Sequence, residues 1–258
     1  MADPGRDLKD LIYKAVIMQA EGKVAEAEAV FRQVLKVAPD NPDALHFLGL
    51  AEYRKGHTDD AIRLMMRAVR VGGDNPLFSA NLGKVLLDLG RPAEAGTAFR
   101  RALDLAPGSA DLHLRMAETH RLLGGLAEAE AGYRRALKLD PKLAGAGNGL
   151  GIVLEAQGRT KEAEAVYRRT LKAAGELPDV LYNLGNVLRD RHRADHAIRS
   201  YRRAIGLRPD FAEAHVHLAF ALFLKGDFRA AWREYEWRWR VPAFAGAARK
   251  LDAPAWDG

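Results

Sequence analysis

A spacing of 34 residues runs through this chain without insertion or deletion. Gly22, Gly56, Gly90, Gly124, Gly158 and Gly226 stand on one grid of that step, and His192 fills the single vacant slot. A second grid holds Ala27, Ala61, Ala95, Ala129, Ala163, Ala197 and Ala231, and a third holds Phe31, Met65, Phe99, Tyr133, Tyr167, Tyr201 and Tyr235. A fixed period of 20–50 residues means that one supersecondary unit is copied and stacked, because no single copy buries its own apolar face.

Starting the register at Leu8 gives seven units, 8–41, 42–75, 76–109, 110–143, 144–177, 178–211 and 212–245. They leave an N-terminal tail 1–7 and an irregular segment 246–258, the latter read also as the start of a following domain. Within each unit, apolar residues at three- and four-residue spacing predict two amphipathic helices. The Gly at position 15 separates them by accepting a left-handed conformation. Pro39, Pro107, Pro141 and Pro209 end the second helix, with Gly73 and Gly175 in the same slot elsewhere. The small Ala at position 20 predicts close approach of the two helices, and the large residue at position 24 is expected to fill the gap between neighbouring units.

These offsets, with the leading pairs Leu48-Gly49, Leu82-Gly83, Leu150-Gly151 and Leu184-Gly185, resemble the tetratricopeptide-repeat (TPR) family over nearly the whole chain. The resemblance implies an all-α, right-handed superhelical solenoid of about seven helix pairs and a protein-interaction scaffold with no catalytic role. In this family the first helix of each unit lines a concave groove, so positions 2, 5, 6, 9, 12 and 13 are the candidate contacts. They read His46, Leu50, Tyr53 and Leu87 early, and Asn81, Lys84, Arg115, Glu118, Arg121, Asn148 and Glu155 in the middle. Late in the chain come Tyr182, Asn183, Asn186 and Arg189, then Val216, Phe220 and Phe223. Amides and aromatic rings in a row suit an extended peptide, amides pairing with its backbone and rings covering its side chains. The expected binding residues are Tyr53, Asn81, Lys84, Arg115, Arg121, Tyr182, Asn183, Asn186, Arg189 and Phe220. The carboxylate clamp of chaperone-binding relatives is matched at Asn81 and Arg115 and missed at His46, Leu50 and Asp111. The asparagine ladder of O-GlcNAc transferases is matched at position 6 by Asn81 and Asn183 alone.

The seventh unit ends in Trp232, Trp237 and Trp239, read as one helix whose Trp232, Tyr235 and Trp239 share a face, followed by Trp256-Asp257-Gly258. This ending resembles the junction between a repeat array and a glycosyltransferase-like domain in bacterial proteins. It implies, as an alternative, that the chain is the substrate-recruiting arm of such an enzyme. A third reading is self-association through Phe220, Phe223, Trp232, Trp237 and Trp239.

Other chemistries find little support. With zero cysteines, disulfides, thiolate nucleophiles and Cys-ligated metals are excluded. The eight histidines form no HExxH, so no metal and no cofactor is expected. Ser79, Ser109 and Ser200 lack a nucleophile-elbow context. Gly145, Gly147, Gly149 and Gly151 lack the G-x-G-x-x-G spacing. Their run inside a first helix predicts a soft point or, alternatively, close packing. Net charge is +6, and residues from Pro178 onward carry 14 Lys and Arg against 10 Asp and Glu. That bias, and the repeated Arg100-Arg101, Arg134-Arg135, Arg168-Arg169 and Arg202-Arg203, fit a solvated face offset by Glu130 and Glu164 four residues before Arg134 and Arg168. Nucleic acid is not an expected partner. No segment reaches the roughly 20 apolar residues of a membrane span, and the opening residues do not read as a signal peptide, so a cytoplasmic location is expected.

Overall fold

The computed structural model describes residues 4–245. The segment 246–258, with Trp256-Asp257-Gly258, lies outside the described residues, as do positions 1–3 of the expected tail. The described chain is helical, with no strand among its residues. The helices are α1 (Pro4–Ala20), α2 (Val24–Val37), α3 (Pro42–Arg54), α4 (Thr58–Val71), α5 (Pro76–Asp88), α6 (Pro92–Leu105), α7 (Ala110–Leu122), α8 (Leu126–Leu139), α9 (Ala144–Ala156), α10 (Thr160–Ala174), α11 (Pro178–Asp190), α12 (Ala194–Leu207), α13 (Ala212–Lys225) and α14 (Phe228–Tyr235). A 3₁₀ turn (Glu236–Arg240) and the short α15 (Pro242–Ala245) follow. The chain divides into two compact units between Gly132 and Tyr133, within α8.

In both units the hairpin is the building block, and its turn is set by one backbone angle. Gly22, Gly56, Gly90, Gly124, Gly158 and Gly226 have φ between 69° and 84°. His192, on the same grid, adopts φ 57°, the one positive value at a non-glycine position among the described residues. In the first unit the next helix is started by a side-chain cap. The amide N–H groups of Ala44, Leu77 and Leu112 donate to Asn41 Oδ1, Asn75 Oδ1 and Ser109 Oγ at 2.9, 3.0 and 3.3 Å. In the second unit Leu143, Leu177 and Phe211 hold that position without a cap bond.

The core of each hairpin follows from paired small and large residues. The alanines of the position-20 grid are buried, as are Phe31, Met65, Phe99, Tyr133, Tyr167 and Tyr201 of the position-24 grid. The large residues do more than fill gaps between neighbours. A Cβ at Gly83 would stand 2.7 Å from the Phe99 ring, and Gly49, Gly151 and Gly185 likewise back onto Met65, Tyr167 and Tyr201. These four side chains are therefore each seated on the Leu-Gly pair of their own hairpin. Burying a ring this fully stabilises by about 1.5–3 kcal/mol.

The same packing corrects the soft point expected along α9. A methyl group at Gly147, Gly149 or Gly151 would overlap Thr170, Tyr133 or Tyr167. The glycines are there because neighbouring side chains occupy the space a Cβ would need.

The end of the second unit also departs from expectation. The three tryptophans do not share a helix: α14 stops at Tyr235, and Trp237 and Trp239 belong to the 3₁₀ turn. That turn folds back so that Trp237 stacks on His215, with ring centroids 4.0 Å apart and an interplanar angle of 3°. Val241 and Phe244 pack on Ala212 and Val216. Val216, read as a groove residue, is therefore core.

Candidate peptide-binding surfaces

Five of the expected binding residues lie in the first unit and five in the second. In the first unit Tyr53 and Lys84 are held by acidic residues on the adjacent first helix, and Arg115 by acidic residues on its own. Tyr53 Oη, on α3, donates to Asp88 Oδ2 on α5 at 3.2 Å. Lys84 on α5 reaches Asp111 on α7 at 3.6 Å, and Arg115 lies 3.4 Å from Asp111 and 3.5 Å from Glu118. Lys84, Leu87, Asp88, Arg115, Glu118 and Leu122 line a cleft of about 160 Å³ with both signs of charge. Arg121, also on α7, is half-buried. Asn81 turns toward His46, its Nδ2 3.1 Å from His46 Nε2. His46 itself is fully buried rather than lining a groove, with Nδ1 unpartnered, and burial pushes its imidazole down to about 4.

The second unit gathers four of its five residues, Tyr182, Asn186, Arg189 and Phe220, around one that the sequence reading did not select, His217 on α13. His217 Nδ1 lies 2.7 Å from Asn186 Oδ1 and 3.1 Å from Arg189 Nη1, and Nε2 lies 3.4 Å from Tyr182 Oη. Tyr182, Asn186 and Arg189 come from α11. Tyr201 Oη donates to the same Asn186 oxygen at 2.8 Å. The Tyr182 and Phe220 rings stand 5.1 and 5.9 Å from the imidazole, and Phe220 is 37% exposed. Asn183 Nδ2 donates to Asn148 Oδ1 on α9 at 2.9 Å. Burial, reinforced by the Arg189 cation, pushes His217 down to about 4, so the ring is neutral at pH 7. A neutral Nδ1 either donates to Asn186 or accepts from Arg189, and cannot do both. One of those two groups is thus always left with bonding capacity at this surface.

His217 was legible in one respect, since it occupies position 6, the slot of Asn81 and Asn183. Asp190 at position 13 and Tyr201 at position 24 stand on the same register but are not among the expected binding residues. Arg189 is drawn to Asp190, with Nη2 2.9 Å from Oδ1.

Two further features bear on what the chain can do. Among the described residues no group of three or more His, Cys, Asp or Glu stands together as a metal site, and no helix is long and apolar enough to cross a membrane.

The family model described as the cilia and flagella-associated protein 70 C-terminal domain matches residues 8–241. A stretch of 101 residues, 39% of this chain, is 30% identical to the CTR9 homolog of Arabidopsis thaliana, and the match spans 9% of that protein's length. Among solved structures, PilF of Pseudomonas aeruginosa superimposes with a TM-score of 0.70 at 18% identity, covering 81% of this chain and 96% of that one. YrrB, described as a TPR protein with an unusual peptide-binding site, superimposes with a TM-score of 0.58 at 18% identity, covering 71% of this chain and 95% of that one. At these identities the structures speak to the fold. The glycosyltransferase junction read from the tryptophan-rich end has no counterpart in these matches. With the 34-residue hairpins, their left-handed turns and the family match over residues 8–241, the chain belongs to the family of cilia and flagella-associated protein 70 C-terminal domains, built on the tetratricopeptide repeat.

Proposed function

We propose that this chain is a non-catalytic scaffold that binds an extended peptide segment of a partner protein across the first helices of its second unit. The observation that carries the reading is the convergence of Tyr182, Asn186, Arg189 and Phe220 on a neutral His217. An aromatic shelf of Tyr182 and Phe220 covers an apolar or flat side chain. The amide or the guanidinium that His217 leaves free bonds the peptide backbone or an acidic side chain. Asn183, already paired with Asn148, extends the polar row toward α9. The description of YrrB as a peptide-binding TPR protein makes the mode familiar for the fold without assigning its ligand to this chain.

The test is selection of a random displayed peptide library on the folded chain, followed by anisotropy titration of the enriched peptides. Phe220→Ala and Arg189→Ala should each weaken binding by about tenfold, the loss expected for a buried aromatic or charged anchor. Circular dichroism checks that both variants remain helical. Peptides that bind both variants as tightly as the parent would remove the site.

A further inference from the structure

A second surface of the second unit lies at the turn between α11 and α12. Glu164 on α10 is a buried carboxylate, its side chain 3% exposed, and three arginines meet it. Arg168, one helix turn further along α10, and Arg191 in the turn both contact it, and Arg193 Nη1 donates to Oε1 at 2.8 Å. One carboxylate thus gathers three cations. The equivalent node of the first unit is balanced: Glu28 and Glu52 are faced by Arg32 and Lys55, with His57 beside Glu52. A role limited to neutralising Glu164 would need one arginine, two at most.

The surroundings do not cancel the excess. His196 on α12 lies 3.4 Å from Arg193 Nη2. Its imidazole is held below the ordinary value by desolvation and by the cations of Arg193, Arg199 and Arg168. The acidic groups near the turn are engaged elsewhere, Asp190 by Arg189 and Asp195 by Lys225 at 3.0 Å. At the apex stands His192, exposed and left-handed, where the six other turns carry glycine. Backbone strain retained at an exposed turn is a mark of a functional segment. The side chains of Arg168, Arg191 and Arg193 are 48, 27 and 37% exposed, so the corner is open to solvent.

We propose that the Arg168–Arg191–Arg193 corner, pre-ordered by Glu164, docks an acidic Asp/Glu-rich segment of a partner protein. Glu164 holds the three guanidinium forks in place before the ligand arrives, and the two charges it leaves unbalanced match two adjacent carboxylates. A corner of this size is too short to track a nucleic-acid backbone, which needs an extended basic groove with stacking platforms. This surface is separate from the His217 cluster and stands or falls independently of it.

The test is an anisotropy titration of the full chain with a labelled peptide carrying consecutive Glu residues, beside its Gln counterpart, a phosphoserine peptide and a single-stranded RNA of equal charge. Expected is binding of the Glu peptide, none of the Gln peptide, and weakening of about tenfold between low and moderate salt. Arg191→Gln and Arg193→Gln should each lower affinity about fivefold, and Arg240→Gln, a cation lying over Trp237 elsewhere in the unit, should leave it unchanged. If either variant loses helicity, Arg199→Gln, which makes no bond to Glu164, decides with a threefold loss. No binding of the Glu peptide, tighter binding of the phosphopeptide or the RNA, or insensitivity to these substitutions would overturn the proposal.

Discussion

Asn81 Nδ2 stands 3.1 Å from His46 Nε2, thirty-five residues upstream, one residue more than the repeat. The same offset joins Tyr53 to Asp88, Asn148 to Asn183 and Tyr182 to His217. Within each unit, neighbouring first helices are stitched by side chains that follow the packing of one helix on the next, so that position 5 of one hairpin meets position 6 of the following one, and position 12 meets position 13.

Asn186 is shared between Tyr201 and His217, and its loss should cost stability before it affects binding. Its oxygen accepts from Tyr201 Oη at 2.8 Å and lies 2.7 Å from His217 Nδ1. Asn186→Ala leaves a buried hydroxyl without its acceptor and should destabilise by about 1–3 kcal/mol, read as a lower urea midpoint at unchanged slope. Tyr201→Phe removes the donor instead, so in the double variant the two losses should fall short of adding by about 0.5 kcal/mol or more.

Two glycines in helices of the second unit should respond to alanine with opposite signs. Gly206, in α12, has nothing within 4 Å of a Cβ, so Gly206→Ala should stabilise by up to about 1 kcal/mol through helix propensity alone. Gly151 backs onto the Tyr167 ring, so Gly151→Ala forces that ring off its seat and should destabilise by about 1–3 kcal/mol despite the same propensity gain. Thermal unfolding of both variants distinguishes the two effects in one experiment.

His192→Gly should stabilise the fold. The residue sits at φ 57°, a region that costs an L side chain roughly 1–2 kcal/mol and a glycine almost nothing. The unfolded-state entropy of glycine offsets part of that, leaving a gain of about 0.5–1 kcal/mol in denaturant unfolding.

Acidification should weaken the chain well above the carboxylate range. His46 and His217 both titrate at about 4 in the folded state against 6.5 when free, pushed down first by burial. The unfolded chain therefore binds protons more readily between those values. The stability these neutral rings contribute is complete above pH 6.5 and falls as pH drops from 6.5 to 4, by up to about 3 kcal/mol for each ring. Urea midpoints measured across that window should decline, and His46→Phe should flatten part of the decline. An unchanged slope in that variant would mean that other groups carry it.

The hairpin was legible in the sequence because its determinants are local and recur. A left-handed turn needs glycine, and a ring needs a small residue opposite it, so both leave a mark every 34 residues. His192 shows the limit of that logic, since the backbone geometry is kept while the residue that makes it easy is not. The N-terminal caps at Asn41, Asn75 and Ser109 left the same kind of periodic mark. By contrast, the tryptophans at the end of the second unit read as one amphipathic helix because helical spacing is all that a sequence displays there. The stacking of Trp237 on His215 and the burial of Val216 arise from the chain folding back.

The binding surfaces divide along the same line. Which side chains stand on the first helices followed from the 34-residue register. Which of them meet depends on how one helix packs against the next, and that shifts partners to an offset of 35. Only the packed structure made His217 the centre of the Tyr182, Asn186 and Arg189 cluster and brought Arg191 and Arg193 from the α11–α12 turn onto the carboxylate of Glu164 in α10. The reason is that periodicity records the bonds and contacts a hairpin makes within itself. Side-chain chemistry between hairpins is set by interhelical register and burial, which leave no regular trace along the chain.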